Sequence, residues 1–198
     1  MLKIALTGGI ATGKSYVLAR FAARGAPTID ADVVAHEVVR RGEPAWAAVR
    51  KRFGDAILLG DGEIDRPKLG AIVFADAGAR RELEAIIHPA VYAAIAAWSE
   101  RLPATTRIAV ADIPLLYETR HEDEFDRVVV TWCSRETQIE RMVQRDGITL
   151  DDATRRLAAQ WSTNEKARRA DYVIKTEGTF EESDAQVDKV YEALLRNA

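Results

Sequence analysis

A glycine-rich stretch near the start of the chain carries residue types that bind phosphate. Gly8 and Gly13 are five positions apart, and Lys14 and Ser15 follow directly, which is the spacing of a phosphate-binding loop, or P-loop. Glycine allows successive backbone N–H groups to converge on one anion. Lys14 can bring a full charge to the β- and γ-phosphates, and the Ser15 hydroxyl can hold Mg²⁺. The stretch predicts binding of a nucleoside triphosphate with Mg²⁺; the alternative is a glycine-rich turn that matches by accident.

Carboxylates follow two predicted strands. Asp30 and Asp32 end the strand predicted at 27–32, and ligands of open α/β sheets bind beyond the carboxyl ends of the strands. Asp32 is the candidate base that accepts a hydroxyl proton, whereas Asp30 is the better candidate for capping the next helix. Asp112 comes near the end of a third apolar run. It is either an acid associated with Mg²⁺ or a residue that makes a turn hydrogen bond.

Basic residues on one predicted helix form a second candidate feature. Arg141 and Arg145 are four positions apart and therefore share a helix face. Such a face can close over a transferring phosphoryl group and offset its charge, although an arginine-bearing helix face is usually only solvated surface. His88 precedes Pro89 and has no second histidine nearby, so it predicts a structural role rather than a metal site. Cys133 ends an apolar run and is expected to be a small buried hydrophobe.

Predicted strands and predicted helices alternate along the sequence and carry these residues. The predicted strands are 2–6, 27–32, 107–113, 127–133 and 171–174. The predicted helices are 16–24, 33–41, 44–53, 67–74, 79–102 with an interruption at Pro89, 135–145, 151–161 and 181–196. This alternation indicates an α/β fold with a five-stranded parallel sheet flanked by helices. The helical block 33–102 is too long for an ordinary crossover and predicts an inserted substrate lobe.

Composition narrows the class of protein. The chain has 198 residues, 47% of them hydrophobic and 30% charged, with a net charge of −3, which argues against a broad nucleic-acid-binding surface. One cysteine excludes an internal disulfide and fits a reducing compartment. No apolar run reaches the roughly 18 residues of a membrane span, and the first apolar stretch lacks the pattern of a signal peptide. We expect a cytoplasmic protein.

Several motifs, in this order and spacing, resemble the dephospho-CoA kinase family, and the resemblance extends over nearly the whole chain. The motifs are LTGGIATGKS at 6–15, IDADVVAHEVV at 29–39, GEPAWAAVRKRFG at 42–54, LEAIIHPAV at 83–91, DIPLLYE at 112–118, RETQIERMVQRD at 135–146 and ADYVI at 170–174. The P-loop is generic, whereas the IDAD, HP and DIPLLYE elements are much more specific.

The resemblance implies a P-loop NTPase fold and transfer of the ATP γ-phosphate to the ribose 3′-hydroxyl of dephospho-CoA. It implies a nucleotide core (1–32, 103–134 and 162–198), a helical CoA lobe (33–102) and a lid (135–161). The resemblance implies that Asp32, Lys14 and Arg141 are catalytic and that Ser15 and Asp112 bind Mg²⁺. The implied ATP-binding residues are Gly8, Gly9, Ala11, Thr12, Gly13, Lys14, Ser15, Tyr16 and Arg145; the implied substrate-binding residues are Asp32, His88, Pro89 and Leu115. The implied partners are ATP and dephospho-CoA, with neither nucleic acid nor membrane, in a monomer or weak oligomer.

Three positions depart from the family pattern. Ala11-Thr12 stands where the family commonly has Gly-Ser, and an alanine suits the loop unless that position needs positive φ. Tyr16 replaces a threonine, while Ser15 keeps the hydroxyl that Mg²⁺ needs. The run 175–178 lacks the asparagine that often follows this strand, so the contacts to adenine are expected to differ.

Two alternative hypotheses for the function start from the same phosphate-binding loop. Another small-molecule P-loop kinase, acting on a nucleoside monophosphate or a sugar, would share the core and the lid and differ in the 33–102 lobe. A GTPase switch needs a strand-end Asp-x-x-Gly and an Asn-Lys-x-Asp, and neither pattern occurs in the sequence.

Overall fold

Five parallel strands form the centre of the computed structural model, which describes residues 1–198. The strands are β1 (Leu2–Gly8), β2 (Thr28–Asp30), β3 (Ile108–Asp112), β4 (Arg127–Trp132) and β5 (Tyr172–Lys175). Their order in the sheet is β2-β3-β1-β4-β5, and every pairing is parallel. The predicted five-stranded parallel α/β fold is therefore confirmed.

Burial on both faces explains why the strands are almost continuously apolar. Ile4 and Leu6 of β1 are completely buried, as are Val110 of β3 and Val129 of β4. Helices cover both faces of a parallel sheet, so the strand sequence does not alternate between apolar and polar residues. The centre of the sheet is thus a rigid frame for whatever follows the carboxyl ends of β1 and β3.

Nine α-helices accompany the sheet. They are α1 (Lys14–Ala23), α2 (Ala31–Glu37), α3 (Pro44–Phe53), α4 (Arg66–Ala75), α5 (Ala77–Glu100), α6 (Arg135–Asp146), α7 (Leu150–Ala158), α8 (Thr163–Arg169) and α9 (Phe180–Arg196). None of these helices is both long enough and apolar enough to cross a membrane.

The second strand and the helix after it differ from the prediction. β2 ends at Asp30, and α2 begins at once with Ala31. Asp32 therefore lies in the first turn of a helix and not at the tip of a strand. A carboxylate in that turn is favoured by the helix dipole, which explains why the chain can become helical before Val33.

Pro89 lies inside a single helix, at the position where the sequence predicts an interruption of the helical pattern. α5 continues from Ala77 to Glu100 with the proline inside it. A proline removes one backbone donor from the helix, and packed side chains on both sides of it hold the helix in place. Ile86 and Ile87 precede Pro89 in one apolar cluster, and Tyr92 and Ile95 after it are buried.

Helix α8 is absent from the prediction, and α7 is shorter than predicted. The Ser162 side chain accepts a hydrogen bond from the Glu165 N–H, and the Glu165 carboxylate accepts one from the Ser162 N–H. This capping box is visible in the sequence as Ser-x-x-Glu and was the signal that could have revealed α8. α7 ends at Ala158 because Gln160 and Trp161 bond to other parts of the chain.

The chain divides into two compact units. The first comprises Met1–Asp30 and Leu102–Ala198, and the second comprises Ala31–Arg101. The first unit contains the sheet and its core. The second has an apolar core of its own, built from Val39, Ala45, Val49, Ile57, Ile64 and Leu69.

Candidate phosphate and nucleotide site

The loop between β1 and α1 has the backbone shape that the glycine spacing predicts. Gly13 has φ +79° in the left-handed region. A Cβ on Gly8 would lie 2.2 Å from the Thr131 hydroxyl oxygen, so no larger residue fits there. Ala11 also has positive φ, at +59°, so this position is the exception under which alanine was not expected to suit the loop.

The amino terminus of α1 leaves its backbone donors available. No side chain caps α1, whereas Ser134, Thr149, Ser162 and Thr179 cap α6 to α9. The first N–H groups of a helix lack partners within the helix, and the helix dipole favours an anion beside them. The end of α1 that follows the glycine-rich loop is therefore suited to phosphate.

Side chains from distant elements hold the carbonyl groups of this loop. Gln138 Nε2 donates to the Ile10 oxygen at 2.6 Å, and Thr176 Oγ1 donates to the Thr12 oxygen at 2.9 Å. Arg141 Nη1 donates to the Ala11 oxygen at 3.2 Å. Three successive carbonyls are thus engaged by protein donors, which fixes the loop without using the backbone donors at the start of α1.

Ile10 is held on its other side as well. Its N–H donates to Gln160 Oε1 at 3.1 Å, and its carbonyl oxygen accepts the hydrogen bond from Gln138 Nε2. Both glutamines act on the loop from more than a hundred positions away, and the sequence offered no signal for either. Thr12 Oγ1 closes the loop internally by donating to the Gly9 oxygen at 2.8 Å.

Lys14 and Asp112 lie together, as expected for a phosphate site with an associated acid. Lys14 Nζ is 3.8 Å from Asp112 Oδ1, and both side chains are largely buried. Asp112 is opposite Leu6 in the β1–β3 register, so the sheet places the acid beside the phosphate loop. The Ser15 hydroxyl and the Asp112 carboxylate are oxygen ligands of the kind that Mg²⁺ prefers, and they fit that ion.

A cavity of about 730 Å³ lies beside the loop and collects several of the predicted ATP-binding residues. Ala11, Gly13, Tyr16 and Arg145 line it, together with Phe180. The Tyr16 and Phe180 rings pack with centroids 4.8 Å apart. The Tyr16 hydroxyl donates to Asp184 Oδ1 at 2.7 Å, so the tyrosine that departs from the family pattern ties α1 to α9. The cavity volume is that of a small-molecule site.

Arg141 has protein partners for its guanidinium group. Besides the Ala11 oxygen, it donates to Thr176 Oγ1 at 3.2 Å and to the Thr176 carbonyl oxygen. In this conformation Arg141 supports the loop while lining the cavity. Arg145 is more exposed and pairs with Asp146 at 2.7 Å.

The run 175–178, which also departs from the family pattern, connects the loop to α6. Thr176 contacts both the loop and Arg141. Glu177 Oε1 accepts a hydrogen bond from the Ser134 N–H at 2.7 Å, and hydrogen bonding from Ser134 holds the pKa of Glu177 below its ordinary value. This segment therefore contacts both the loop and α6.

The remaining predicted residues lie elsewhere in the chain. Asp32 in α2, and His88 and Pro89 in α5, belong to the second unit. Leu115 belongs to the first unit, in the turn after β3, with 36% of its surface exposed. Two residues that were not predicted, Lys166 and Glu118, form a buried ion pair at 2.9 Å; Glu118 is part of the DIPLLYE motif, but no pattern in the sequence pairs the two.

Comparison with known proteins identifies the family. A profile of the dephospho-CoA kinase family matches residues 2–182. The chain is 49% identical over 191 residues to the dephospho-CoA kinase of Anaeromyxobacter dehalogenans, covering 96% of this chain and 90% of that protein. It is 44% identical over 190 residues to the Bacillus licheniformis enzyme of the same name, covering 96% and 94%. The solved dephospho-CoA kinase from Campylobacter jejuni superposes with a TM-score of 0.75 at 27% identity, covering 98% of each chain. With this coverage, and with the P-loop NTPase fold and phosphate loop described above, the chain belongs to the dephospho-CoA kinase family.

Proposed function

We propose that this protein transfers the γ-phosphoryl group of ATP to the ribose 3′-hydroxyl of dephospho-CoA, giving coenzyme A and ADP in the last step of coenzyme A synthesis. The observation that carries the proposal is the Lys14–Asp112 pair beside a phosphate-binding loop in a chain that the family profile matches from residue 2 to residue 182.

ATP would bind through the loop and the adjacent cavity. The N–H groups at the start of α1 and the Lys14 ammonium would hold the phosphates. The nucleoside would occupy the cavity lined by Tyr16, Arg145 and Phe180. Gly8, Gly9 and the segment 11–16 complete the proposed ATP site. Ser15 and Asp112 would hold Mg²⁺, which when bound supplies positive charge to the phosphate oxygens.

Asp32 is the proposed base for the acceptor hydroxyl. A carboxylate within reach of that hydroxyl can take its proton as the phosphoryl group is transferred. His88, Pro89 and Leu115 are the further residues proposed to contact dephospho-CoA. We assign the 33–102 segment to the CoA lobe and the 135–161 segment to the lid, where Arg141 would offset charge on the transferring group once it exchanges its present partners for phosphate oxygens.

Composition and the proposed substrates bear on where the protein acts and what it binds. We infer a cytoplasmic monomer or weak oligomer that acts on small molecules and binds neither nucleic acid nor membrane. The single cysteine is buried and free, and the net charge of −3 offers no basic excess. Both observations fit a reducing compartment and substrates other than nucleic acid.

A coupled assay tests the proposed activity. The purified protein is supplied with ATP, Mg²⁺ and dephospho-CoA, and ADP formation is followed alongside coenzyme A product. We expect turnover that requires all three components. Turnover with a nucleoside monophosphate or a sugar, and none with dephospho-CoA, would replace the proposal with another small-molecule kinase; tight GTP binding without transfer would replace it with a GTPase switch.

The Asp32→Asn variant tests the base. We expect kcat to fall by about 10²- to 10⁴-fold, the range that a general base contributes, while ATP affinity in calorimetry stays near the wild-type value. Glu100→Gln is the matched control, since Glu100 is an exposed acid of the same unit. Equal kcat values in the two variants would remove Asp32 from the mechanism.

A further inference from the structure

Lys166 is a charged side chain in a place where charge is costly. It lies in α8, its side chain has no exposed surface, and it is among the largest fully buried residues of the chain. Lysine is almost never fully buried without a partner. Specific contacts must therefore compensate for the burial of its ammonium group.

Three oxygen atoms surround the ammonium nitrogen of Lys166. Nζ lies 3.3 Å from the Gly8 carbonyl oxygen, 2.8 Å from the Pro114 carbonyl oxygen and 2.9 Å from Glu118 Oε1. An ammonium group has three N–H donors and no acceptor, so the three oxygens match the charged form. Burial lowers the pKa of Lys166, and the hydrogen bond and the charge of Glu118 oppose that effect.

The two carbonyl groups belong to the segments that carry the phosphate site. Gly8 ends β1 and begins the phosphate loop, and Pro114 follows two positions after Asp112, which ends β3. β1 and β3 are neighbours in the sheet. Lys166 thus links the two strands just beyond their carboxyl ends, and Thr7 Oγ1 adds a weaker link by donating to the same Pro114 oxygen at 3.3 Å.

Glu118 extends this link to a further segment. Its Oε1 also accepts a hydrogen bond from the Trp161 N–H at 2.9 Å. The neighbouring residue, Gln160, accepts the N–H of Ile10 in the loop. The pair of Lys166 and Glu118 therefore holds the loop, the end of β3 and the segment after α7 at one point.

We propose that Lys166, neutralised by Glu118, is a positioning residue that fixes the distance between the phosphate loop and Asp112 and so preorganises the Mg²⁺–nucleotide site. It does so through the Gly8 and Pro114 backbone. This inference rests on the proposed function only for the identity of the acceptor substrate. Groups that orient metal ligands from behind change metal affinity or activity by about 10- to 100-fold when removed.

The test uses the double variant Lys166→Met/Glu118→Gln, which removes both charges and leaves an acceptor for Trp161. Calorimetric titrations with ADP at increasing Mg²⁺ concentrations measure the Mg²⁺ concentration that ADP binding requires. Steady-state kinetics then separate the effect on kcat from the effect on KM. We expect the Mg²⁺ requirement of the ADP complex to rise about 10- to 100-fold, and kcat to fall with little change in the KM for dephospho-CoA. Lys189→Met, an exposed lysine of the same unit, should leave both quantities unchanged.

A purely structural ion pair makes a different prediction. The double variant would then lose stability but keep the wild-type Mg²⁺ requirement and kcat, and that result overturns the proposal. If the double variant does not fold, Glu118→Gln takes its place. It removes the carboxylate charge that offsets the Lys166 ammonium, so we expect the same direction of change with a smaller size, and an unchanged Mg²⁺ requirement overturns the proposal there too.

The proposed activity and the positioning role can fail separately. The ADP and Mg²⁺ measurement needs no acceptor substrate. The wild-type protein could fail to phosphorylate dephospho-CoA while the double variant still needs more Mg²⁺ than the wild type to bind ADP. That pair of results would refute the proposed activity and support the role of Lys166.

Discussion

Ala11 holds a backbone conformation that alanine disfavours. Its φ of +59° is in the left-handed region, where the Cβ of an L-residue approaches the following carbonyl at a cost of roughly 1–2 kcal/mol. Hydrogen bonds to the carbonyls of Ile10, Ala11 and Thr12 hold the loop in this shape. Such strain persists where the surroundings determine the backbone from several sides, as they do here.

Replacing Ala11 with glycine should relieve this strain. We expect Ala11→Gly to raise the free energy of unfolding by about 1 kcal/mol, measured by urea denaturation. Ala19→Gly is the matched control in an exposed position of α1, where glycine should lower stability by about 1 kcal/mol. Loss of stability in both variants would show that the left-handed conformation of Ala11 carries no strain.

Lys14 is proposed to act through its charge, which would hold the phosphates. We expect Lys14→Ala to lower kcat by about 10²- to 10³-fold, as removal of one group that stabilises transition-state charge does, and to weaken ADP binding in calorimetry. Lys3→Ala, which changes an exposed lysine of β1, is the control. ADP binding and turnover at wild-type levels in Lys14→Ala would contradict the proposed phosphate site.

At the scale of elements, the helices after β4 and β5 supply the supports of the phosphate loop. α6 carries Gln138 and Arg141, α8 carries Lys166, and the segment between β5 and α9 carries Thr176. Ser134 caps the start of α6 and Ser162 the start of α8, and the segment after β5 ends at Thr179, which caps α9. Capping therefore sets the position of side chains that act on the loop.

The cap of α9 gives a prediction for one such element. The Thr179 side chain accepts a hydrogen bond from the Glu182 N–H, and the Glu182 carboxylate accepts one from the Thr179 N–H. We expect Thr179→Ala to lower the free energy of unfolding by about 1 kcal/mol. Thr105→Ala, in an exposed loop of the same unit, should change it by less than about 0.5 kcal/mol. Equal effects of the two substitutions in urea denaturation would rule out the capping contribution.

At the scale of the whole molecule, burial makes stability depend on pH above neutrality. Burial raises the pKa of Cys133 from 9.0 to about 11 and that of Tyr117 from 10.0 to about 12. The unfolded chain loses the Cys133 proton first, so the contribution of this thiol is complete below pH 9 and is lost as the pH rises toward 11. Each pH unit in that window costs on the order of 1.4 kcal/mol for one such group.

Comparison with Cys133→Ala isolates this effect. Between pH 8 and pH 10.5 we expect the wild-type protein to lose about 2 kcal/mol more of its unfolding free energy than the variant does. Urea denaturation at the two pH values measures both losses. Parallel losses in the two proteins would mean that the buried thiol titrates as it does in the unfolded chain.

Features that depend only on neighbouring residues can be predicted from the sequence. The strand, glycine-rich turn and helix at 2–24 follow from local backbone preferences, and apolar runs identify β1, β3, β4 and β5, whereas β2 is short and ends in a carboxylate. Asp32 was misplaced by one element because a strand that ends at Asp30 and a helix that begins at Ala31 leave no loop to mark the boundary. The capping signal of α8 was also local and could have been read.

The contacts that support the phosphate loop form between residues far apart in the chain and could not be predicted from the sequence. Lys166 and Gly8 are 158 positions apart, and Gln138 and Ile10 are 128 apart. Contacts over such separations depend on how the whole sheet and its helices assemble, and a lysine or glutamine on a helix has the same local pattern whether it faces water or the loop. The positive φ of Ala11 likewise follows from these distant donors, since alanine alone prefers another conformation.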